Sequence, residues 1–147
     1  MLTETQVHLF VYGTLLASAN HPMGHLLHET GQLIGSGKIR GRLYVIDDPE
    51  DPGNSYPGAV PSGFDQDHVH GDLYLLHDAQ MLIARFDVYE ACDPSRPEPH
   101  EFLRRAVPVT MEDGQIINAI SYFYGWDTSR ARLIPDGRFT QIMRDTR

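Results

Sequence analysis

The sequence predicts an α+β fold built on a strongly curved sheet or barrel. Three observations carry this. Most apolar stretches are short, rich in β-branched and aromatic residues, and alternate with polar ones, as strands do. Only two stretches show helical spacing. At 147 residues the chain has one domain's worth of length, and its 41% hydrophobic content suffices for a compact core. Many strands with few helices then point to α+β with a curved sheet.

The first element is the run Val7-His8-Leu9-Phe10-Val11-Tyr12, which ends abruptly at Gly13 and Thr14 before Leu15 and Leu16. The run predicts a buried strand. Gly13 lets the backbone turn or approach a ligand because it has no Cβ. Thr14 sets a hydroxyl beside backbone N–H groups that can form an anion-binding nest. A plain turn toward a helix fits the same residues.

Asn20 and Pro22 suit the start of a first helix, on which Met23, Leu26 and Leu27 share a face. Gly31, Gly35 and Gly37 are expected to break it and feed a strand over Lys38 to Ile46. An acidic Pro/Gly loop follows from Asp47 to Ser55. Tyr56-Pro57-Gly58-Ala59-Val60 resembles a tight turn leading into a short strand. His68 to Leu76 is a strand, with His68, His70, Asp72 and Tyr74 facing one side and Val69, Gly71, Leu73 and Leu75 the other.

Asp78 is the expected cap of a second helix from Ala79 to about Ala91, with Leu82, Phe86 and Tyr89 as its buried stripe. The proline-rich stretch Asp93 to His100 is a stiffened loop. Phe102 to Met111 and Ile116 to Tyr124 are strands joined by a hairpin turn at Glu112-Asp113-Gly114-Gln115. The tail from Thr128 to Arg147 carries five of the twelve basic residues and is expected to be a loop with a final helical turn.

Twenty acidic against twelve basic side chains give a net charge of -8. That balance argues against nucleic acid or an anionic membrane as partner. The start lacks a signal-peptide pattern, no run is long enough to span a bilayer, and Cys92 stands alone, so a cytoplasmic location is expected. His21, His25 and His28, or His68 and His70, have spacings that can hold a metal. Solvated faces explain them more simply, because no further ligand completes a set.

Glu90 is placed against its local electrostatics. It lies at the helix C-terminal end, where the macrodipole disfavours negative charge. Asp87 and Asp93 flank it, and Phe86 and Tyr89 supply apolar surroundings. Each factor raises a carboxyl pKa toward the range of a general acid/base. A wet helix end bearing three hydrated acids is the alternative.

The ordered set of pieces resembles the γ-glutamylcyclotransferase-like proteins, which include γ-glutamylamine cyclotransferase. The pieces are Tyr12-Gly13-Thr14-Leu15, then Asn20, Gly41-Arg42-Leu43-Tyr44, Tyr56-Pro57-Gly58 and Val69-His70-Gly71-Asp72-Leu73-Tyr74. The helix ending in Glu90 and Phe102-Leu103-Arg104-Arg105-Ala106-Val107-Pro108-Val109 complete the set. The resemblance spans about residues 7–126 of a single domain, leaving 127–147 as a tail. It implies a small mixed β-barrel with flanking helices. It also implies cyclisation of a small γ-glutamyl amine or amino acid to 5-oxoproline with release of the free amine.

By the same resemblance Glu90 takes the place of the catalytic acid/base. The backbone of Gly13, Thr14 and Leu15 takes the place that holds the substrate carboxylate, and Tyr12 lines the same cavity. Phe102 stands where many relatives carry tyrosine, and Arg104 matches the arginine of its segment. Arg105 stands beside it, and because the two point to opposite faces of a strand only one of them can reach the cavity. No metal or redox cofactor is implied, and a monomer or homodimer is expected. A non-catalytic binding protein on the same fold is the alternative.

Overall fold

The computed structural model describes residues 6–12, 26–27, 29–47, 55–89 and 98–138, with the side chains of 88 and 89 left aside. Seven strands and one complete helix occur among them. They are β1 (His8–Val11), β2 (Gly31–Asp47), β3 (Ser55–Pro61), β4 (His68–Leu76), α1 (Ala79–Tyr89), β5 (Phe102–Met111), β6 (Ile116–Tyr124) and β7 (Arg132–Ile134). Leu26, Leu27, Glu29 and Thr30 are also helical and lead directly into β2.

Five strands close a ring. The path runs β2-β4-β1-β6-β5, and the pairing of Gly37 with Met111 and Lys38 with Thr110 returns β5 to β2. β1 runs parallel to β6, with Leu9 opposite Ile120, while its pairing with β4 is antiparallel. The barrel is therefore mixed. β2 is long enough to serve twice: its first part lies between β4 and β5, and its second part carries β3 on one edge and β7 on the other.

Two apolar clusters follow from strand alternation. Phe10, Ile39, Leu43, Val45, Ala59, Val69, Leu73, Val107, Val109, Ala119, Phe123 and Ile134 come from all seven strands and none from a helix, so they fill the barrel. Leu9 and Val11, on the other side of β1, join Tyr74, Leu76, Tyr122 and Tyr124 beneath Leu82 and Phe86 of α1. Leu82 and Phe86 are four residues apart and essentially unexposed. Burying such side chains contributes about 1.5–3 kcal/mol each.

Gly71 marks where β1 and β4 come closest. A Cβ there would lie 2.2 Å from the Val11 carbonyl oxygen and 2.8 Å from the Phe10 ring. No side chain fits without moving the strand.

Several sequence expectations change. Gly31, Gly35 and Gly37 do not precede a strand but lie within β2, where the ladder to β4 holds them, with a register shift between Leu33 and Gly35. Tyr56 to Val60 is ladder rather than turn, because β3 pairs with β2 from Ser55 to Pro61. Tyr74 shares its face with His70 and Asp72 yet is buried, because it belongs to the apolar cluster that also holds Leu27, Leu82 and Phe86. Asp78 precedes α1 at φ 52°, a left-handed conformation rather than an extended cap, and its carbonyl accepts from Leu82 N–H at 3.1 Å. The expected tail instead forms β7, whose Ile134 is buried in the barrel cluster. The loop 48–54 and the proline stretch 91–97 lie outside the described residues.

Candidate active site

Tyr12 follows β1 directly, and its ring packs against the barrel cluster. Its hydroxyl donates to the Tyr122 carbonyl at 2.5 Å and accepts from Ala59 N–H at 3.1 Å. One phenol thus joins the end of β1 to β6 and β3. Parallel pairing of β1 and β6 brings both C-terminal ends to the same end of the barrel.

Tyr122 is engaged twice. Its backbone carbonyl holds Tyr12, and its own hydroxyl donates to Asp87 Oδ1 of α1 at 2.6 Å. Asp87 also receives one guanidinium nitrogen of Arg104, 3.1 Å from Oδ2 and 3.4 Å from Oδ1. Arg104 stands opposite Tyr122 in the β5–β6 register. The last full turn of α1 is therefore fastened to two strands through one carboxylate.

Phe102 stands opposite Tyr124 two positions along the same ladder. It is buried, with its ring 5.5 Å from that of Tyr124 and 6.2 Å from that of Tyr56. The Tyr56 hydroxyl donates to the Glu101 carboxylate. Burial pushes the Tyr124 phenol pKa up, reinforced by Glu101 and Asp127. Tyr124 therefore stays protonated at neutral pH. The Trp126 indole ends this aromatic wall, donating to the Pro99 carbonyl at 3.0 Å.

Tyr12, Phe102 and Arg104 are the sequence-derived site residues among those described. Gly13, Thr14, Leu15 and Glu90 lie outside them. Tyr12 and Arg104 meet on one residue, Tyr122, the latter by way of Asp87. Phe102 joins the aromatic wall. Sequence reasoning missed Tyr122, Ala59 and Glu101, and treated Asp87 only as a like charge beside Glu90. The signal available for Tyr122 was its place in the aromatic run Tyr122-Phe123-Tyr124, which does not reveal a partner 110 residues away.

No group of three or more His, Cys, Asp or Glu side chains among the described residues can hold a metal ion. His68 and His70 meet edge to face, with ring centroids 6.4 Å apart, while His21, His25 and His28 lie outside the described residues. Among the described residues no helix is long and apolar enough to cross a membrane.

Solved structures share this fold. YkqA from Bacillus subtilis matches with a TM-score of 0.62 and 21% identity over 92% of this chain, which spans 40% of that protein's chain. An AIG2-like protein from Mus musculus matches with a TM-score of 0.58 and 21% identity over 98% of this chain and 100% of its own. A structure described as gamma-glutamyl cyclotransferase matches with a TM-score of 0.54 and 15% identity, over 82% of this chain and 68% of its own. Comparison with curated proteins finds no match. The family model described as "Gamma-glutamyl cyclotransferase, AIG2-like" matches residues 9–141, which include every strand from β2 to β7 and nearly all of β1, and the chain belongs to that family.

Proposed function

We propose that this protein is a cyclotransferase that converts a small γ-glutamyl amine or γ-glutamyl amino acid to 5-oxoproline and the free amine. The observation that carries the reading is the double engagement of Tyr122. Tyr12 immediately precedes Gly13-Thr14-Leu15, and Asp87 lies three residues before Glu90. Both Tyr12 and Asp87 are tied to Tyr122. Tyr12 and Asp87, the residues with described side chains nearest in sequence to the two proposed functional segments, are thus tied to one point of the barrel. Family membership supports the same reading.

In this mechanism the backbone N–H groups of Gly13, Thr14 and Leu15 hold the substrate carboxylate and so fix a bent conformation. The substrate's α-nitrogen attacks its own γ-carbonyl carbon. A C–N bond forms within the five-membered ring, and the bond to the outgoing nitrogen breaks. Glu90 first takes a proton from the α-ammonium, which frees the lone pair that attacks. The ring nitrogen then gives up a second proton, the departing nitrogen receives both and leaves as an ammonium, and Glu90 ends as the carboxylate it began as. Ring closure is intramolecular, and positioning supplies much of the rate enhancement. Tyr12 offers the face of its ring, since its hydroxyl is engaged by Tyr122 and Ala59.

The test is release of 5-oxoproline from a panel of γ-glutamyl amino acids and γ-glutamyl amines. Glu90→Gln should lower turnover by about a thousandfold or more, with an unchanged circular dichroism spectrum. Full activity in the variant would remove Glu90 from its role. No product from any panel member would favour a non-catalytic binding protein, a reading encouraged by Phe102, which offers no hydroxyl and is packed between Tyr56 and Tyr124.

A further inference from the structure

A second concavity lies on the outward side of β2, where that strand runs between β4 and β5. It is an open cleft of about 740 Å³, lined among others by Ser36, Lys38, His70, Asp72, Glu112 and Arg138. Val69 and Leu73 point into the barrel, so His70 and Asp72, at the alternate positions, face outward. Lys38 stands opposite His70 in the β2–β4 register. Arg138 is delivered by the segment after β7, where the Gly137 carbonyl accepts from His70 N–H at 2.8 Å. Gly137 adopts φ +66°, and a Cβ there would lie 1.8 Å from the His68 carbonyl oxygen, so only glycine permits this approach.

The basic groups of this cleft differ from other basic groups of the protein. Arg40, Arg42 and Arg104 each pair with an aspartate. The side chains of Lys38 and Arg138 have no hydrogen bond or ion pair among the described residues. Two cations without a direct ion-pair partner among the described residues thus face one cleft, in a chain of net charge -8. His70 lies between them, partly buried.

We propose that this cleft binds the phosphate group of a small phosphomonoester, with Lys38, His70 and Arg138 as its ligands. Three donors from three separate segments suit a compact oxyanion that accepts from several directions. A phosphate is favoured over a carboxylate because its three terminal oxygens can each meet one of the three donors, whereas a carboxylate offers two. Asp72 and Glu112, which share the cleft, oppose any anion and set a limit on its affinity. The Asp72 carboxylate is turned toward Ser36, whose hydroxyl donates to it at 3.0 Å. The volume far exceeds that of inorganic phosphate, which leaves room for an organic group beside it.

His70 supplies a reporter. Burial first, then Arg138, His68 and Lys38, hold its pKa below the usual histidine value, while Asp136 pulls it upward. Asp72 and Glu112 are the other charged groups lining the cleft. A bound dianion favours the protonated imidazole, so ligand should raise the His70 pKa.

The experiment is an NMR titration of the His70 imidazole C–H resonance, assigned with His70→Asn. It is run at constant ionic strength with glycerol 3-phosphate, inorganic phosphate or chloride. The expected result is saturable binding of glycerol 3-phosphate at about millimolar concentration or below. The His70 pKa should rise in the complex, and affinity should fall by about tenfold or more in Lys38→Gln and in Arg138→Gln. Both variants change side chains without partners among the described residues, and an unchanged Tm would show that they fold. Absence of saturation with either phosphate, or unchanged affinity in the double variant, would overturn the site. Equal affinity for inorganic phosphate would overturn its assignment to an organic phosphate. The readout is independent of 5-oxoproline formation, so this site and the proposed reaction stand or fall separately.

Discussion

At the scale of single residues, Tyr12 and Asp87 matter most because each holds two segments at once. Tyr12→Phe removes the acceptor of the Ala59 N–H and the donor to the Tyr122 carbonyl while keeping the ring. Leaving such groups unsatisfied costs about 1–3 kcal/mol. Urea denaturation should show a loss of that size. An unchanged midpoint would mean that water replaces the phenol. Arg104 was expected to bind substrate, but its guanidinium lies on Asp87. The two roles separate kinetically. If Arg104 acts by holding Asp87, then Arg104→Met and Asp87→Asn should lower kcat by similar factors, with KM little changed, and the double variant should be no worse than either. A rise in KM confined to Arg104→Met would instead place its guanidinium on the substrate. The partly exposed pair itself contributes about 0–1 kcal/mol to stability, so Tm should move little.

Among the elements, β4, β5 and β6 were fully legible. β4 alternates over most of its length and β5 around Val107 and Val109, β6 ends in a buried aromatic run, and the hairpin at 112–115 closes with Met111 N–H donating to the Gln115 carbonyl at 2.8 Å. The helix was also legible from Leu82 and Phe86. β7 was not, because three residues carry no periodicity and their identity as a strand comes wholly from β2. Ile134 shows that β7 is structural: it is 4% exposed and belongs to the barrel cluster. Ile134→Ala should therefore cost about 2–5 kcal/mol, measured by chemical denaturation. A loss below about 0.5 kcal/mol, the size expected of a surface change, would return the segment to the status of a tail.

For the molecule as a whole, closure is the deciding event. β1 pairs with β6 across more than a hundred residues, and β2 pairs with β5 across about seventy. Such contacts carry a large loop-closure entropy and depend on the whole chain being in place. Closure also gives the protein two distinct regions. One is the end where β1, β5, β6 and α1 meet at Tyr122. The other is the outer cleft between β4, β2 and β5. Only closure brings β5 beside β2 and so completes the second region.

The sequence by itself determined the class of fold, most strands, the stripe of α1, and the candidates Gly13, Thr14, Leu15 and Glu90. These rest on local composition and periodicity, together with an ordered resemblance along the chain. Tertiary structure alone decided that Tyr12 spends its hydroxyl on Ala59 and Tyr122, that Arg104 answers Asp87, that Tyr74 is buried, and that Lys38 and Arg138 face one cleft. The reason is physical. A side chain's role as anchor or exposed charge depends on what lies opposite it. In a closed barrel the opposite residue belongs to a strand far away in sequence.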